Sequence, residues 1–271
     1  MTEREAAPAV VDTHVAHSAR RYNYWLGGKD NFQADRDSAD EIEASFPGVR
    51  QAVRANREVL GRMTRYLARD AGVRQFLDIG TGLPTADNTH EVAQRVNPAA
   101  RVLYVDNDPL VMTHARALLT STPEGMTNYI EADLRRPQDI LSSPELLDTL
   151  DLSQPVALML IAILHFLPDR EQERAVVGRL MDALPSGSYL AATHATFDFM
   201  SERGKAVATE MLTTGRADTW PSTRDEFARL FDGLDLVEPG IALLTEWRPD
   251  ERTSEYDPAR VNMWAAVARK P

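Results

Sequence analysis

The sequence predicts an α/β fold in which a mostly parallel sheet is covered by helices on both faces. Strand-like and helix-like segments alternate from residue 74 onward, as in repeated βαβ units. Segment 156–164 is apolar throughout, as expected for a central parallel strand. The first predicted strand, 74–79, runs into a glycine turn at 80–82 and then into a helix. These three observations predict a ligand site at the carboxyl edge of the sheet.

The elements that follow the glycine turn keep this alternation. A helix opened by Pro84 and Thr85 is predicted to run to residue 96, and Pro109 stands at the favoured first position of the next helix. Two final strands, 234–245 and 261–268, are expected to pair as an antiparallel hairpin. The other predicted elements are strands 101–105, 128–132, 156–164 and 188–193, and helices 109–119, 169–184, 197–215 and 222–231.

Two helices are predicted before the first strand, over residues 35–45 and 49–70. The second carries an apolar face at helical spacing, formed by Val53, Leu60, Met63 and Leu67. Its arginines lie mostly outside that face and are interpreted as a solvated side; they are Arg50, Arg54, Arg57 and Arg65. Gly72 is expected to end the helix.

The aromatic segment 17–32 precedes these helices and allows two interpretations. Tyr22, Tyr24 and Trp25 lie within four residues of one another and are followed by a Gly-Gly break. The segment is either a lid that covers a bound ligand, or a packed helix that buries Tyr22 and Trp25 before turning at the glycines.

The expected organisation is one main domain with an N-terminal extension. Residues 1–16 are predicted to be loose, 17–72 to form a helical extension or lid, and 73–271 to form the main domain. A helical insertion is expected near 197–215, where Met200 and Met211 are candidates for a wall of the substrate pocket. Adaptable methionines suit an apolar substrate, although core packing explains them equally well.

Composition narrows the classes of function. The chain has 271 residues, 43% hydrophobic and 26% charged, which is typical of a globular protein. A net charge of −11 argues against nonspecific nucleic-acid binding, and the absence of cysteine excludes disulfides and thiolate nucleophiles. The N-terminus has no secretory apolar region, and the longest apolar run, 155–167, is too short to span a bilayer. A cytoplasmic protein without a membrane partner is expected.

Three successive predicted strands end in an acidic residue, at Asp78, Asp106 and Asp133. In a parallel sheet these ends lie side by side where ligands bind. Asp106 is placed to accept hydrogen bonds from ribose hydroxyls, and Asp133 is placed to accept one from an exocyclic amine of adenine. Asp78 is placed to order the glycine loop or to hold a cationic group. The alternative is that each carboxylate caps the following helix.

The glycine turn favours an adenosyl ligand without phosphates. A dinucleotide fingerprint requires a third glycine three residues after the second, but Thr85 stands there, preceded by Pro84. The chain also has no Gly-x-x-x-x-Gly-Lys-Ser/Thr loop, which argues against a P-loop nucleotide hydrolase.

Segments 76–84, 104–109 and 131–134 resemble the glycine-rich, ribose-binding and adenine-binding motifs of class I S-adenosylmethionine-dependent methyltransferases. Segments 17–31 and 56–63 resemble, more narrowly, an actinobacterial methyltransferase family formerly described only as a domain of unknown function. The resemblance extends from about residue 17 onward and implies a Rossmann-like seven-stranded sheet with a reversed final hairpin. One departure is Pro84, which replaces a glycine common in this loop.

This resemblance implies S-adenosyl-L-methionine as the cofactor and a set of residues that bind it. The main-domain candidates are Asp78, Gly80, Thr81, Gly82, Asp106, Asn107, Asp133, Leu134 and Ile161. Extensions of this kind commonly fold over the cofactor cleft, which adds Tyr22, Gly28 and Lys29 from the lid.

Two histidines are weak candidates for a general base. His165 follows the central strand and His194 ends strand 188–193, and an unperturbed imidazole titrates near neutral pH. Both are also explained as packing residues. Methyl transfer can proceed by positioning alone, so the chemistry requires no catalytic residue. No metal site is expected, because the histidines lack ligand spacing.

Together with this resemblance, the sequence predicts a methyltransferase whose unidentified acceptor is a small molecule rather than nucleic acid. One alternative is a regulatory protein that binds S-adenosylmethionine without turnover. Another is a nicotinamide-dependent oxidoreductase, which the missing third glycine disfavours. The sequence does not indicate the oligomeric state.

Overall fold

The computed structural model describes residues 11–118, 120–251 and 253–271. Most of the predicted loose N-terminus, residues 1–10, lies outside the described residues. In the described part, eight strands form one sheet in the order β3-β2-β1-β4-β5-β8-β6, and β7 also pairs with β8. The strands are β1 Gln75–Ile79, β2 Arg101–Asp106, β3 Met126–Glu131, β4 Ala157–Ile161, β5 Tyr189–Ala195, β6 Asp235–Leu236, β7 Ala242–Leu243 and β8 Met263–Arg269.

Strands β1 to β5 run parallel, whereas β8 runs antiparallel to β5, β6 and β7. The predicted Rossmann-like α/β fold is therefore confirmed, although the sheet in the described residues has eight strands and not the seven predicted. Strand order reverses between β1 and β4, and the carboxyl ends of strands at such a switch point form the crevice where ligands bind.

Helices cover both faces of this sheet, and a large apolar core lies on each side of it. The helices are α1 Ser18–Trp25, α2 Gln33–Ser45, α3 Val49–Arg65, α4 Thr89–Val96, α5 Pro109–Leu118, α6 Pro137–Leu141, α7 Pro144–Thr149, α8 Arg170–Asp182, α9 Glu202–Thr213, α10 Arg224–Ala228 and α11 Pro258–Val261. Among the described residues, no helix has the length and apolar content needed to cross a bilayer.

The helix after the glycine turn begins at Thr89, four residues later than predicted. The side chain of Asn88 accepts a hydrogen bond from the Thr85 N–H, and the Asn88 N–H donates to Glu91 Oε2 at 3.0 Å. These two bonds fix the start of α4 and leave Pro84 and Thr85 in a loop.

Two predicted strands were too long. Segment 234–245 is not continuous but forms the two short strands β6 and β7, which both pair with β8. Strand β4 ends at Ile161 rather than at 164, because Ala162 adopts a left-handed φ of 55° and a 3₁₀ turn follows at Leu164–Phe166. The turn carries this segment over the carboxyl edge of the sheet.

The N-terminal extension is a packed unit. Trp25 is buried at the end of α1 and shares an apolar cluster with Ala39 of α2 and with Val49 and Val53 of α3. The packed-helix interpretation of segment 17–32 therefore holds for Trp25. The same helices also lie over the carboxyl edge of the sheet, where they form part of a cavity.

Candidate functional site

A cavity of about 460 Å³ lies at the carboxyl edge of the sheet, a size typical of small-molecule sites. One part, which we call the acidic cleft, is lined by Asp78, Gly80, Gly82, Asp106 and Asp133. The other part, which we call the apolar chamber, is lined by Trp25, Phe46, Met200, Met211, Val261 and Met263. The extension, the strand ends and the insertion around α9 thus enclose one continuous space.

The glycine turn forms the floor of the acidic cleft. Gly80 and Gly82 have φ angles of 78° and 67°, which favour glycine. A Cβ atom at Gly80 would lie 2.6 Å from the Ile163 side chain, so packing alone requires glycine there. Among the described residues, no heavy atom beyond its chain neighbours lies within 4 Å of a Cβ built at Gly82, which leaves this backbone open to a ligand.

Asp106 is buried at the end of β2 and holds the glycine turn. Its Oδ2 accepts a hydrogen bond from the Gly82 N–H at 2.8 Å, and its Oδ1 accepts one from the Asp108 N–H at 3.0 Å. Burial raises the pKa of Asp106, whereas these two bonds lower it. Each carboxylate oxygen has two lone pairs, so Asp106 can still accept hydrogen bonds from a ligand.

Asp78 is buried at the end of β1. The Thr89 hydroxyl donates to Asp78 Oδ2 at 2.5 Å, and Thr81 Oγ1 donates to the Asp78 carbonyl at 3.2 Å. Burial raises the pKa of Asp78 from 3.8 to about 6, while the Thr89 bond and the positive charge of Arg57 lower it. The carboxylate is thus poorly compensated and suited to a cationic group.

Asp78→Asn is expected to stabilise the unliganded protein at neutral pH. Because its pKa is about 6 when folded and 3.8 ordinarily, Asp78 binds its proton more tightly in the folded state. Its contribution to stability therefore falls as the pH rises from 3.8 to 6. At pH 7 the ionised carboxylate costs on the order of 3 kcal/mol, a cost that asparagine avoids. Denaturant unfolding should show that the variant's gain in free energy of unfolding is roughly half as large at pH 5 as at pH 7. A gain that does not depend on pH would contradict this assignment.

The third acidic residue lies beyond the end of β3. The Asp133 carboxylate accepts bonds from the side chain and backbone N–H of Arg135, which hold its pKa below the usual range. Leu134 is buried beside it, and both residues line the cavity. The cavity lining also includes Thr81, Asn107 and Ile161, so it brings together all nine main-domain residues predicted from the sequence.

Of the three lid residues predicted to bind the cofactor, only one lines the cavity. Tyr22 lines the cavity, and its hydroxyl donates to the Val53 carbonyl at 3.0 Å and accepts from Asn56 Nδ2. Gly28 and Lys29 are not among the lining residues. A Cβ atom at Gly28 would lie 2.3 Å from the Asn23 side chain, and Lys29 is exposed.

The two histidines have different surroundings. His165 lines the cavity, whereas His194 is fully buried outside the lining, with Nε2 3.0 Å from Glu173 Oε1. His165 Nδ1 accepts from the Ala195 N–H at 3.4 Å, which places the ring hydrogen on Nε2. Burial, followed by His194 and Arg170, holds the pKa of His165 well below 6.5. A neutral His165 is a hydrogen-bond donor and a weak base.

Sequence reasoning missed three arginines that line the cavity, Arg21, Arg57 and Arg135. Arg57 was interpreted as solvated, yet it lines the cavity near Asp78. The signal was present, since Arg57 follows Val53 by four residues and precedes Leu60 by three, which places it on the apolar face. Arg21 also lines the cavity, and its Nη2 contacts both carboxylate oxygens of Asp218, at 2.5 and 2.6 Å. No local pattern predicts that long-range pair.

Comparisons with solved structures agree with this architecture. A DUF574 family protein from Streptomyces avermitilis is 48% identical, with a TM-score of 0.90 over 96% of this chain and 99% of that one. A protein from Thermobifida fusca, assigned as a methyltransferase, is 42% identical, with a TM-score of 0.86 over 96% of both chains. An S-adenosylmethionine-dependent methyltransferase from Anabaena variabilis shares the fold at 14% identity and a TM-score of 0.52, over 97% of this chain and 99% of that one.

A search of curated proteins found no match. The sequence profile described as S-adenosyl methyltransferase matches residues 4–271, nearly the whole chain. This match confirms the predicted cofactor, S-adenosyl-L-methionine, and the acidic cleft offers it carboxylates and an open glycine backbone. The chain therefore belongs to the S-adenosyl methyltransferase family.

Proposed function

We propose that this protein transfers the methyl group of S-adenosylmethionine to a small-molecule acceptor. The observation that supports the proposal best is the continuity of the cavity, which joins the acidic cleft to the apolar chamber. A methyltransferase needs its methyl donor and methyl acceptor in adjoining sites, because in-line displacement depends on their alignment. When bound, S-adenosylmethionine supplies a methyl group on a positively charged sulfur.

The acidic cleft is suited to hold the cofactor along its length. Asp106 would accept hydrogen bonds from the ribose hydroxyls, since its oxygens keep free lone pairs. Asp133 and Leu134 would bind the adenine ring. At the other end, Asp78 would attract the ammonium group of the methionine part, and Arg57 would attract its carboxylate. Tyr22 would bound the cleft from the lid.

Positioning, rather than proton abstraction, is the role we assign to the residues around the methyl acceptor. His165 lines the cavity, and its depressed pKa makes it a poor base at neutral pH. Its Nε2–H would donate a hydrogen bond to the methyl acceptor. The proton lost by the methyl acceptor would pass to solvent before or after transfer.

His165→Gln is expected to lower kcat by no more than about tenfold, since glutamine retains an N–H donor and general-base catalysis is not removed. The pH dependence of kcat between pH 6 and 8 should keep its shape. Steady-state kinetics on a turned-over acceptor test this, with His114→Gln, outside the cavity lining, as the matched control. A drop of 10²–10⁴-fold, the usual contribution of a general base, would contradict the assignment.

Formation of S-adenosylhomocysteine in the presence of candidate acceptors tests the proposed function. We expect product formation that depends on the added acceptor and is lost in Asp106→Ala. Binding of S-adenosylmethionine without turnover of any acceptor would favour the regulatory alternative. Binding of NAD in place of S-adenosylmethionine would contradict the proposal.

A further inference from the structure

Two residues that line the cavity each carry a buried polar atom that the fold leaves unsatisfied in the part of the chain that the structure describes. Arg21 Nε and Asn262 Oδ1 are buried and have no hydrogen-bond partner among the described residues. Both residues line the cavity. Buried polar groups are nearly always hydrogen-bonded in folded proteins, so each needs a partner that the chain does not supply.

Arg21 provides a hydrogen-bond donor, but its positive charge is compensated within the protein. Its Nη2 group donates to both oxygens of Asp218, at 2.5 and 2.6 Å, so the pair is neutral overall. The Nε–H is left to donate one further hydrogen bond. This donor suits an uncharged oxygen or nitrogen on a ligand, because the positive charge that would attract an anion is already compensated.

Asn262 provides a hydrogen-bond acceptor whose orientation is fixed by the rest of its amide group. Its Nδ2 donates to the Ala259 carbonyl at 2.6 Å, which leaves Oδ1 as the free atom of the amide. The residue has a left-handed φ of 44° between α11 and β8, and its carbonyl accepts from the Thr196 N–H at 2.9 Å. Because Oδ1 can only accept, a ligand must offer it an O–H or N–H group.

The walls around these two groups are apolar and adaptable. They include large apolar side chains from the extension, from the insertion and from the start of β8, namely Trp25, Phe46, Met200, Met211, Val261 and Met263. The nearby imidazole of His165 is neutral at physiological pH, because its pKa is well below 6.5. Burying a charged group here would therefore carry an uncompensated desolvation cost.

We propose that the apolar chamber binds an uncharged, ring-containing methyl acceptor that carries a hydroxyl or amine. The hydroxyl or amine donates to Asn262 Oδ1, and a second polar atom of the molecule accepts from Arg21 Nε. Aromatic and methionine walls contact the ring faces. This assignment rests on the proposed function, and it makes Asn262 and Arg21 determinants of substrate specificity.

Calorimetric titration of the full chain saturated with S-adenosylhomocysteine tests the assignment. The probes are naphthol and naphthylamine, which are uncharged, and naphthoate, an anion of similar shape. We expect the uncharged probes to bind at least about tenfold more tightly than naphthoate. In Asn262→Gly, which suits the left-handed backbone, naphthol affinity should fall by about tenfold while S-adenosylhomocysteine affinity is unchanged.

The control variant is Asn97→Ala, at the turn before β2 and outside the cavity lining, which should bind all ligands as the parent chain does. The assignment is overturned if naphthoate binds as tightly as naphthol, if neither uncharged probe binds, or if naphthol displaces S-adenosylhomocysteine. Equal loss of naphthol binding in both asparagine variants would overturn it too. Failure of S-adenosylhomocysteine itself to bind would instead contradict the proposed function.

Discussion

Asp106→Ala is expected to weaken binding of S-adenosylmethionine and S-adenosylhomocysteine by about a hundredfold or more. Hydrogen bonds to a buried carboxylate contribute about 1.5–3 kcal/mol each, and two ribose hydroxyls would be released. The substitution also removes the bonds from the Gly82 and Asp108 N–H groups, which loosens the glycine turn. Calorimetric titration of both ligands measures the effect.

Asp139→Ala is a suitable control, because Asp139 pairs with Arg136 on the surface and does not line the cavity. It should bind both ligands as the parent chain does. A thermal melt of each variant separates loss of ligand binding from loss of folding. An Asp106→Ala variant that is folded and retains parent-like affinity would contradict the ribose assignment.

Arg20→Ala is expected to destabilise the protein by about 3–5 kcal/mol, because it leaves buried carboxylates without their cation. Arg20 Nε donates to Asp108 Oδ2 at 3.1 Å, and Arg20 Nη1 lies 3.8 Å from Asp35 Oδ2. All three side chains are buried. Arg20 thereby joins helix α1 of the lid to the loop after β2, next to Asp106.

Thermal unfolding should reveal this loss as a fall in Tm on the order of 10 °C for a chain of this size. The affinity for S-adenosylhomocysteine should also fall, since the lid is tied to the acidic cleft through Asp108. Arg95→Ala is the control, because its ion pair with Asp87 is about half exposed and contributes at most about 1 kcal/mol. Equal shifts in the two variants would contradict the structural role given to Arg20.

The main-domain site could be predicted because its signals are local. A glycine turn follows a buried strand, and acidic residues lie at or just beyond the carboxyl ends of β1 to β3. Once the sheet is parallel, these signals place Asp78, Asp106 and Asp133 at one edge. The order of the strands and the short β6 and β7 could not be predicted in the same way. Their pairing depends on contacts with β8, distant in sequence.

The residues around the apolar chamber were harder to predict because long-range packing creates their environment. Arg21 and Asp218 are 197 positions apart, and nothing near either residue indicates the pair. The lid residues were predicted from the family resemblance rather than from a local pattern. Tyr22 lines the cavity, whereas Gly28 and Lys29 are outside its lining, and close packing against Asn23 explains the glycine at 28.

Calorimetric titration of the parent chain with S-adenosylmethionine and S-adenosylhomocysteine tests the central claim most directly. The claim is that the acidic cleft is a single cofactor site that opens into the apolar chamber. It predicts saturable binding of one molecule of either ligand per chain, with competition between the two. Absence of binding by both ligands to folded protein would contradict the account.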